Sequence, residues 1–169
     1  RLDVSVIEPI AGLFKFEIRQ LAAHLGLPQE VVYRQPSPGP GLAIRMWGPI
    51  TRAKTAALRR GTEILEELVR QHYPAPRQRP SQYYLALAPL ASCGLMGDDR
   101  VYGYAWVIRA VMTRDRESYV TVSAFDFSPA FLRDAARRLT TEVTMTDGTR
   151  FVRVFVEITG KPPSTTEPH

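Results

Sequence analysis

A single cysteine, Cys93, stands in a chain of 169 residues. One thiol makes no internal disulfide and no thiolate metal cluster. A reducing compartment, the cytoplasm, is its simplest home. No apolar run approaches the ~20 residues that a membrane-spanning helix needs, and no signal peptide is visible. Histidine is scarce: His24, His72 and His169 show no metal-ligand spacing and are expected to face solvent. Neither common glycine-rich phosphate loop occurs, so the chain by itself does not read as a nucleotide-triphosphate enzyme. Lysine is rare too, with only Lys15, Lys54 and Lys161 among 22 basic residues. The net charge is +5 and the pI about 9.7. The basic residues are dispersed, however, with none of the dense blocks that mark a nucleic-acid-binding tail. A bias toward arginine explains the charge more simply than a nucleic-acid surface does.

What is present suits a packed core. Hydrophobic residues make up 44% and charged residues 23% of the chain, and the mean hydropathy of −0.17 is ordinary. The length suggests one domain, or one domain and a piece of another. The chain starts at Arg1 and enters a strand-like run, Val4–Ile7, at once, which reads as the end of something longer.

Proline and glycine, 14 and 11 residues, concentrate in one stretch. Arg34-Gln-Pro-Ser-Pro-Gly-Pro-Gly-Leu-Ala-Ile-Arg45 alternates the two, with an arginine at each end. Proline fixes φ and removes a donor, whereas glycine opens the backbone to close approach. The amides of Gly39, Gly41 and Leu42 can then point outward, an arrangement that suits an anion. The segment is read as an interdomain linker or as a ligand wall.

Spacing predicts a helix over Ala11–Leu25, stopped by Gly26 and Pro28. After the bend, Leu42–Trp47 reads as a strand. Thr51 is positioned to cap a helix through about Gln71, with Ala57, Leu58, Ile64, Leu65, Leu68 and Val69 on one stripe. Tyr83–Leu90, Val101–Thr113 and Tyr119–Phe125 read as strands. Ser128-Pro129 opens a helix to about Glu142. Asp147-Gly148 could close a hairpin onto Thr140–Thr146, but a helix is preferred there. Phe151–Thr159 alternates, with Val152, Val154, Val156 and Ile158 on one face. The order predicts an α+β fold, an antiparallel sheet with helices on one face.

Three segments gather polar residues with turn formers: the Pro/Gly bend, the Ser92–Arg100 loop and the Thr159–Glu167 tail. Each also reads as linker, hairpin turn or frayed terminus. They could converge on one site, because binding residues favour loops on a rigid scaffold. No nucleophilic set stands out. Cys93 has no basic neighbour and reads first as a buried structural thiol. Asp98-Asp99 reads as a turn before a metal seat, and no metal site is expected.

Together, and in this order, these segments resemble the C-terminal part of GMP synthase, over about Glu8 to Glu167. Leu13-Phe-Lys-Phe-Glu-Ile-Arg19 and His24-Leu-Gly-Leu-Pro28 resemble the last helix of that family's ATP-pyrophosphatase domain. The Pro/Gly bend resembles its signature loop. Gly94-Leu-Met-Gly-Asp98, Arg100-Val-Tyr-Gly-Tyr104 and Arg109-Ala-Val111 resemble its dimerisation domain. Ile158-Thr-Gly-Lys-Pro-Pro-Ser-Thr-Thr-Glu167 resembles its terminal tail.

The resemblance implies three parts. Residues 1–33 would be the remnant, a last strand and helix, of an α/β ATP-pyrophosphatase domain. Residues 34–45 would be linker and ligand wall, and 46–169 a dimerisation domain that binds xanthosine monophosphate (XMP). The family uses ATP, with Mg2+, to adenylylate the base oxygen of XMP; ammonia then displaces AMP. By the resemblance, Lys15 would meet ATP phosphates or pyrophosphate. Arg34, Pro38, Gly39, Pro40 and Gly41 would line the XMP site. Met96, Gly97 and Arg100 would lie near it or support a homodimer. Lys161 would bind the XMP phosphate, and Thr166 and Glu167 would hold the nucleotide. The implied partners are the ATP-pyrophosphatase half and a glutaminase domain or subunit, with no nucleic acid and no membrane.

The chain departs from the family pattern at several of these positions. Phe16 replaces aspartate, Ser37 phenylalanine, Gly160 serine and Thr166 isoleucine. Leu90-Ala-Ser-Cys93 lacks an arginine. These changes keep two alternatives open, a divergent paralogue with another substrate and a non-catalytic dimer scaffold.

Overall fold

The computed structural model describes residues 5–37, 41–113 and 122–166. The chain divides into two compact units, Arg1–Arg34 and Gln35–His169. In the first unit, helix α1 spans Lys15–His24 and a single turn, α2, spans Gln29–Val32. α1 begins later than its spacing predicts, because residues 9–12 are turns. The carboxylate of Glu17 accepts from the Phe14 amide at 2.7 Å, closing the first turn. Gly26, at φ +77°, ends the helix as expected. Of the predicted strand at Val4–Ile7, Val4 lies outside the described residues and residues 5–7 are unpaired, since one strand without a neighbour has no ladder to join. α1 buries no residue, and among the described residues of this unit Val32 alone is buried.

The second unit is a two-layer α+β fold. A 3-10 helix covers Gly41–Arg45, where a strand was predicted. A six-residue, mostly apolar run does not distinguish the two, and it meets the sheet only at its end, where Met46 bridges Leu87 and the Trp47 amide donates to the Leu87 carbonyl at 3.0 Å. Helix α3 spans Arg52–His72, and the Thr51 hydroxyl accepts from the Lys54 amide at 3.2 Å as its cap. All six predicted stripe residues are buried.

Strands β1 (Gln82–Met96) and β2 (Asp99–Thr113) form one long antiparallel hairpin. The loop predicted at Ser92–Arg100 is mostly strand. Met96 pairs with Asp99, so only Gly97 and Asp98 turn, and Gly97 takes the left-handed φ of +61° this requires. Pro89 has no amide to give the ladder, and the β1 register slips between Ala88 and Ser92 around it.

β3 (Val122–Ala124) and β4 (Arg150–Glu157) both lie along the other edge of β2, β3 at Val111–Thr113 and β4 at Gly103–Arg109. The sheet is therefore mixed, since β4 runs parallel to β2. Helix α4 (Pro129–Thr141), capped by the Ser128 hydroxyl, supplies the crossover from β3 to β4. It ends at Thr141 rather than continuing. Thr144 then bridges Arg150 around Gly148, at φ +85°, so the Asp147-Gly148 turn forms after all.

α3 and α4 cover one face of the sheet. Leu58, Ile64, Leu65 and Leu68 of α3 and Phe131, Ala135 and Leu139 of α4 share a core with Leu85, Leu87, Trp106, Ile108 and Phe151. Trp106 stacks on Phe151 at 3.9 Å, and its indole donates to the Leu139 carbonyl at 3.1 Å. The predicted face of β4 is interrupted. Val152 is an extra residue between the pairs Tyr104–Phe151 and Ala105–Arg153. The bulge changes the phase, so that Phe151, Val154 and Val156 meet the core while Val152 packs over Gly94 and Gly103. Ile158 lies beyond the strand, largely exposed. His72 does not face solvent: its ring lies 3.0 Å from the Asp134 carboxylate and edge-on to Phe131. Cys93 is partly exposed rather than buried. Among the described residues no helix is long and apolar enough to cross a membrane.

Candidate functional site

Alternate residues of β2 point away from the helices. On that second face Tyr84, Arg109 and Glu157 stand in one row across three strands, because Arg109 is paired with Tyr84 on one side and Glu157 on the other. Arg109 is buried to 1% exposure. A buried guanidinium is costly unless paired and hydrogen-bonded. It meets the Glu157 carboxylate at 3.3 Å. Its remaining partners come from the C-terminal tail, namely the Thr159 carbonyl, the Ser164 hydroxyl at 3.1 Å and the Thr165 carbonyl at 3.2 Å. Tyr84 donates its hydroxyl to the Thr166 carbonyl at 2.7 Å. Lys161 is tied to β3 by two backbone hydrogen bonds of 2.9 Å with Val122. Residues 159–166 thus form a strap pinned at three places, to the helix-free face of the sheet at Arg109 and Tyr84 and to the edge of β3 at Val122. Arg45 lies with its guanidinium 4.8 Å over the Tyr84 ring and is itself nearly buried.

Of the residues singled out in the sequence, Lys161 and Thr166 are in this strap. Glu167, Pro38, Gly39 and Pro40 lie outside the described residues. Gly41, at φ +65°, opens the 3-10 helix that ends in Arg45. Lys15 and Arg34 are exposed residues of the first unit, where the Arg34 carbonyl accepts from Arg19 at 3.2 Å.

The three polar segments do not all converge. Met96, Gly97 and Arg100 sit at the exposed tip of the β1–β2 hairpin. Arg100 and Arg109 share one extended strand, and nine residues at ~3.4 Å each separate them by roughly 30 Å. The reason is the unbroken strand pairing through Ser92–Met96, which carries the tip outward rather than folding it back.

Sequence reasoning missed Tyr84, Arg109 and Glu157 as site residues. The available signal was the arginine itself, a charge set in the apolar alternation Ala105–Val111. Among the described residues no three His, Cys, Asp or Glu side chains gather as a metal site.

Residues 72–168 match the GMP synthase C terminal domain family. The chain is 40% identical over 166 residues to the GMP synthase [glutamine-hydrolyzing] of Debaryomyces hansenii, covering 98% of this chain and 30% of that protein. Identity to the enzyme of the same name from Cereibacter sphaeroides is 39% over 167 residues, 99% of this chain and 30% of the relative. For Thermus thermophilus it is 39% over 166 residues, 98% and 31%. The chain therefore spans about 30% of the length of the curated relatives it matches. The match begins at the last residue of α3 and takes in the whole hairpin, β3, α4, β4 and the strap, and on it the chain belongs to the GMP synthase C-terminal domain family.

Proposed function

We propose that this chain is the nucleotide-binding and subunit-pairing part of a cytoplasmic GMP synthase, where XMP is aminated to GMP at the expense of ATP. The observation that carries this reading is the strap. The backbone of Lys161 is held to the edge of β3 by its two hydrogen bonds with Val122, and a lysine ammonium complements a phosphate dianion. Arg45 and the Gly41 turn lie on the same unit and add positive charge. The hairpin tip supports the pairing role: Leu95, Met96 and Tyr102 expose 73%, 46% and 70% of their surface around Arg100. An apolar surface of this kind, rimmed by charge, suits a second copy of the chain.

ATP falls to a separate half in this reading, and Lys15 would reach its phosphates from α1. The exposed apolar residues of the first unit, among them Val6, Ile7, Phe14 and Leu25, support a larger domain against which they pack. A glutaminase domain or subunit would deliver the ammonia. Mg2+ would accompany ATP on that separate half, and no step through the metal is assigned to this chain.

The test is titration of XMP into the wild type and Lys161→Ala. Binding by the wild type, weakened about tenfold or more in the variant (roughly 1.4 kcal/mol), is expected. Absence of XMP binding to a protein that holds its fold sinks the reading. Thermal stabilisation by a different nucleotide, and not by XMP, would put a paralogue with another substrate in its place; Ser37 and Thr166 motivate that comparison.

A further inference from the structure

We propose that Arg109 is a positioning residue for the nucleotide site, fixing the strap in the shape that presents Lys161. The proposal rests on the reading of the strap as the XMP-binding segment. Arg109 lies in the middle of the central strand, far in sequence from the tail it holds. The fold gives no reason for a charge there, since Ala105, Val107 and Val111 on the same face are aliphatic. What explains it is the partner set. Thr159 precedes Lys161-Pro-Pro163 and Ser164 and Thr165 follow it, and one guanidinium gathers all three. The turn that carries Lys161 is thereby closed at its base.

Glu157 completes the arrangement. It balances the buried charge at 3.3 Å and accepts from the Ser164 hydroxyl at 3.0 Å. The two terminal nitrogens of Arg109 are committed to Glu157 and the tail, and Nε has no partner among the described residues. A planar fork can hold several acceptors at fixed angles, which the compact ammonium of lysine cannot do in the same way. A strap ordered in advance loses less conformational freedom when a nucleotide arrives. Arg109 would therefore set affinity without touching the ligand.

The test measures amide exchange without nucleotide, and XMP affinity, in wild type, Arg109→Met, Arg109→Lys, Ser164→Ala and Tyr84→Phe. The reporter amides are Lys161, bonded to Val122, and Ser164, bonded to Gly160. In Arg109→Met both are expected to exchange at least tenfold faster while the β1–β2 hairpin keeps wild-type rates. XMP affinity should fall at least tenfold, with part of each loss restored in Arg109→Lys. Smaller changes of the same pattern are expected in Ser164→Ala and Tyr84→Phe. Unchanged strap exchange in Arg109→Met overturns the proposal, as does a loosened strap with wild-type XMP affinity. If Arg109→Met loosens the whole sheet, Ser164→Ala decides: strap amides that stay at wild-type rates there also overturn it. Failure of the wild type to bind XMP would remove the ligand reading, while the exchange rates still judge the clamp.

Discussion

The two faces of the central sheet are built from the same strands by opposite means. Toward the helices β2 presents Tyr104, Trp106, Ile108 and Ala110 to an apolar core in which Trp106 and Phe151 stack. Away from them it presents Arg109, whose neighbours in the row are a tyrosine and a glutamate. The first face is stabilised by removal of apolar surface from water, which is non-directional and tolerates some repacking. The second is stabilised by a buried charge with directed hydrogen bonds, where the loss of one partner leaves the rest uncompensated. One periodicity of two residues thus separates what makes the fold from what holds the strap.

Two substitutions break this comparison at different depths. Trp106→Ala removes the largest fully buried side chain together with its bond to Leu139. Such a truncation costs about 3–5 kcal/mol, a large share of the stability of a domain this size. Both faces should fail together, seen as one cooperative urea transition at a much lower midpoint. Gly103→Ala acts at the seam between β2 and β4. A Cβ there would stand 2.5 Å from the Arg150 carbonyl oxygen, which is backbone. Overpacking of this kind costs roughly 1–3 kcal/mol. The expected signature is a smaller midpoint shift with faster amide exchange in β4 and the strap than in α3. Uniform exchange across both layers would show that the two faces are not separable.

Much of the helix-covered face was legible in the sequence, and little of the other. The stripe of α3, its Thr51 cap and the Ser128-Pro129 start of α4 are local patterns, and each formed as read. The errors lie where tertiary pairing overrides local pattern. The alternation of Val152, Val154, Val156 and Ile158 is real in sequence, but one bulge residue at Val152 transfers the phase. Leu42–Trp47 has strand composition, yet it meets an edge only at its end, at Met46 and Trp47. The parallel direction of β4 depends on a crossover that no short window contains. In the site, Lys161 and Thr166 were visible because the Lys-Pro-Pro motif is contiguous. Tyr84, Arg109 and Glu157 are 25 and 48 positions apart along the chain and meet only through strand register. Register is a property of the assembled sheet, so no contiguous motif announces the row.

The smallest expected effect separates the helix layer from the strap by pH. Arg138 on α4 donates to both oxygens of Glu142, at 2.7 and 3.0 Å, and to Glu67 on α3 at 2.8 Å. Hydrogen bonding from Arg138, foremost, holds the Glu142 carboxyl below its ordinary value of 4.5. A carboxyl with a depressed folded value stabilises the protein above its unfolded value, and the contribution disappears as the pH falls through the folded one. The window is therefore acidic, from about pH 4.5 downward. Both partners are partly solvated, so the contribution is of order 0.2–1 kcal/mol. Glu142→Gln should lower the urea midpoint slightly at neutral pH and leave it nearly equal to wild type near pH 3. Strap exchange, which depends on Arg109 and not on this pair, should differ little between variant and wild type at either pH. A difference that persists undiminished in acid would mean that Glu142 acts through packing rather than charge. A strap that loosens with Glu142→Gln would mean that the helix layer and the strap respond as one body.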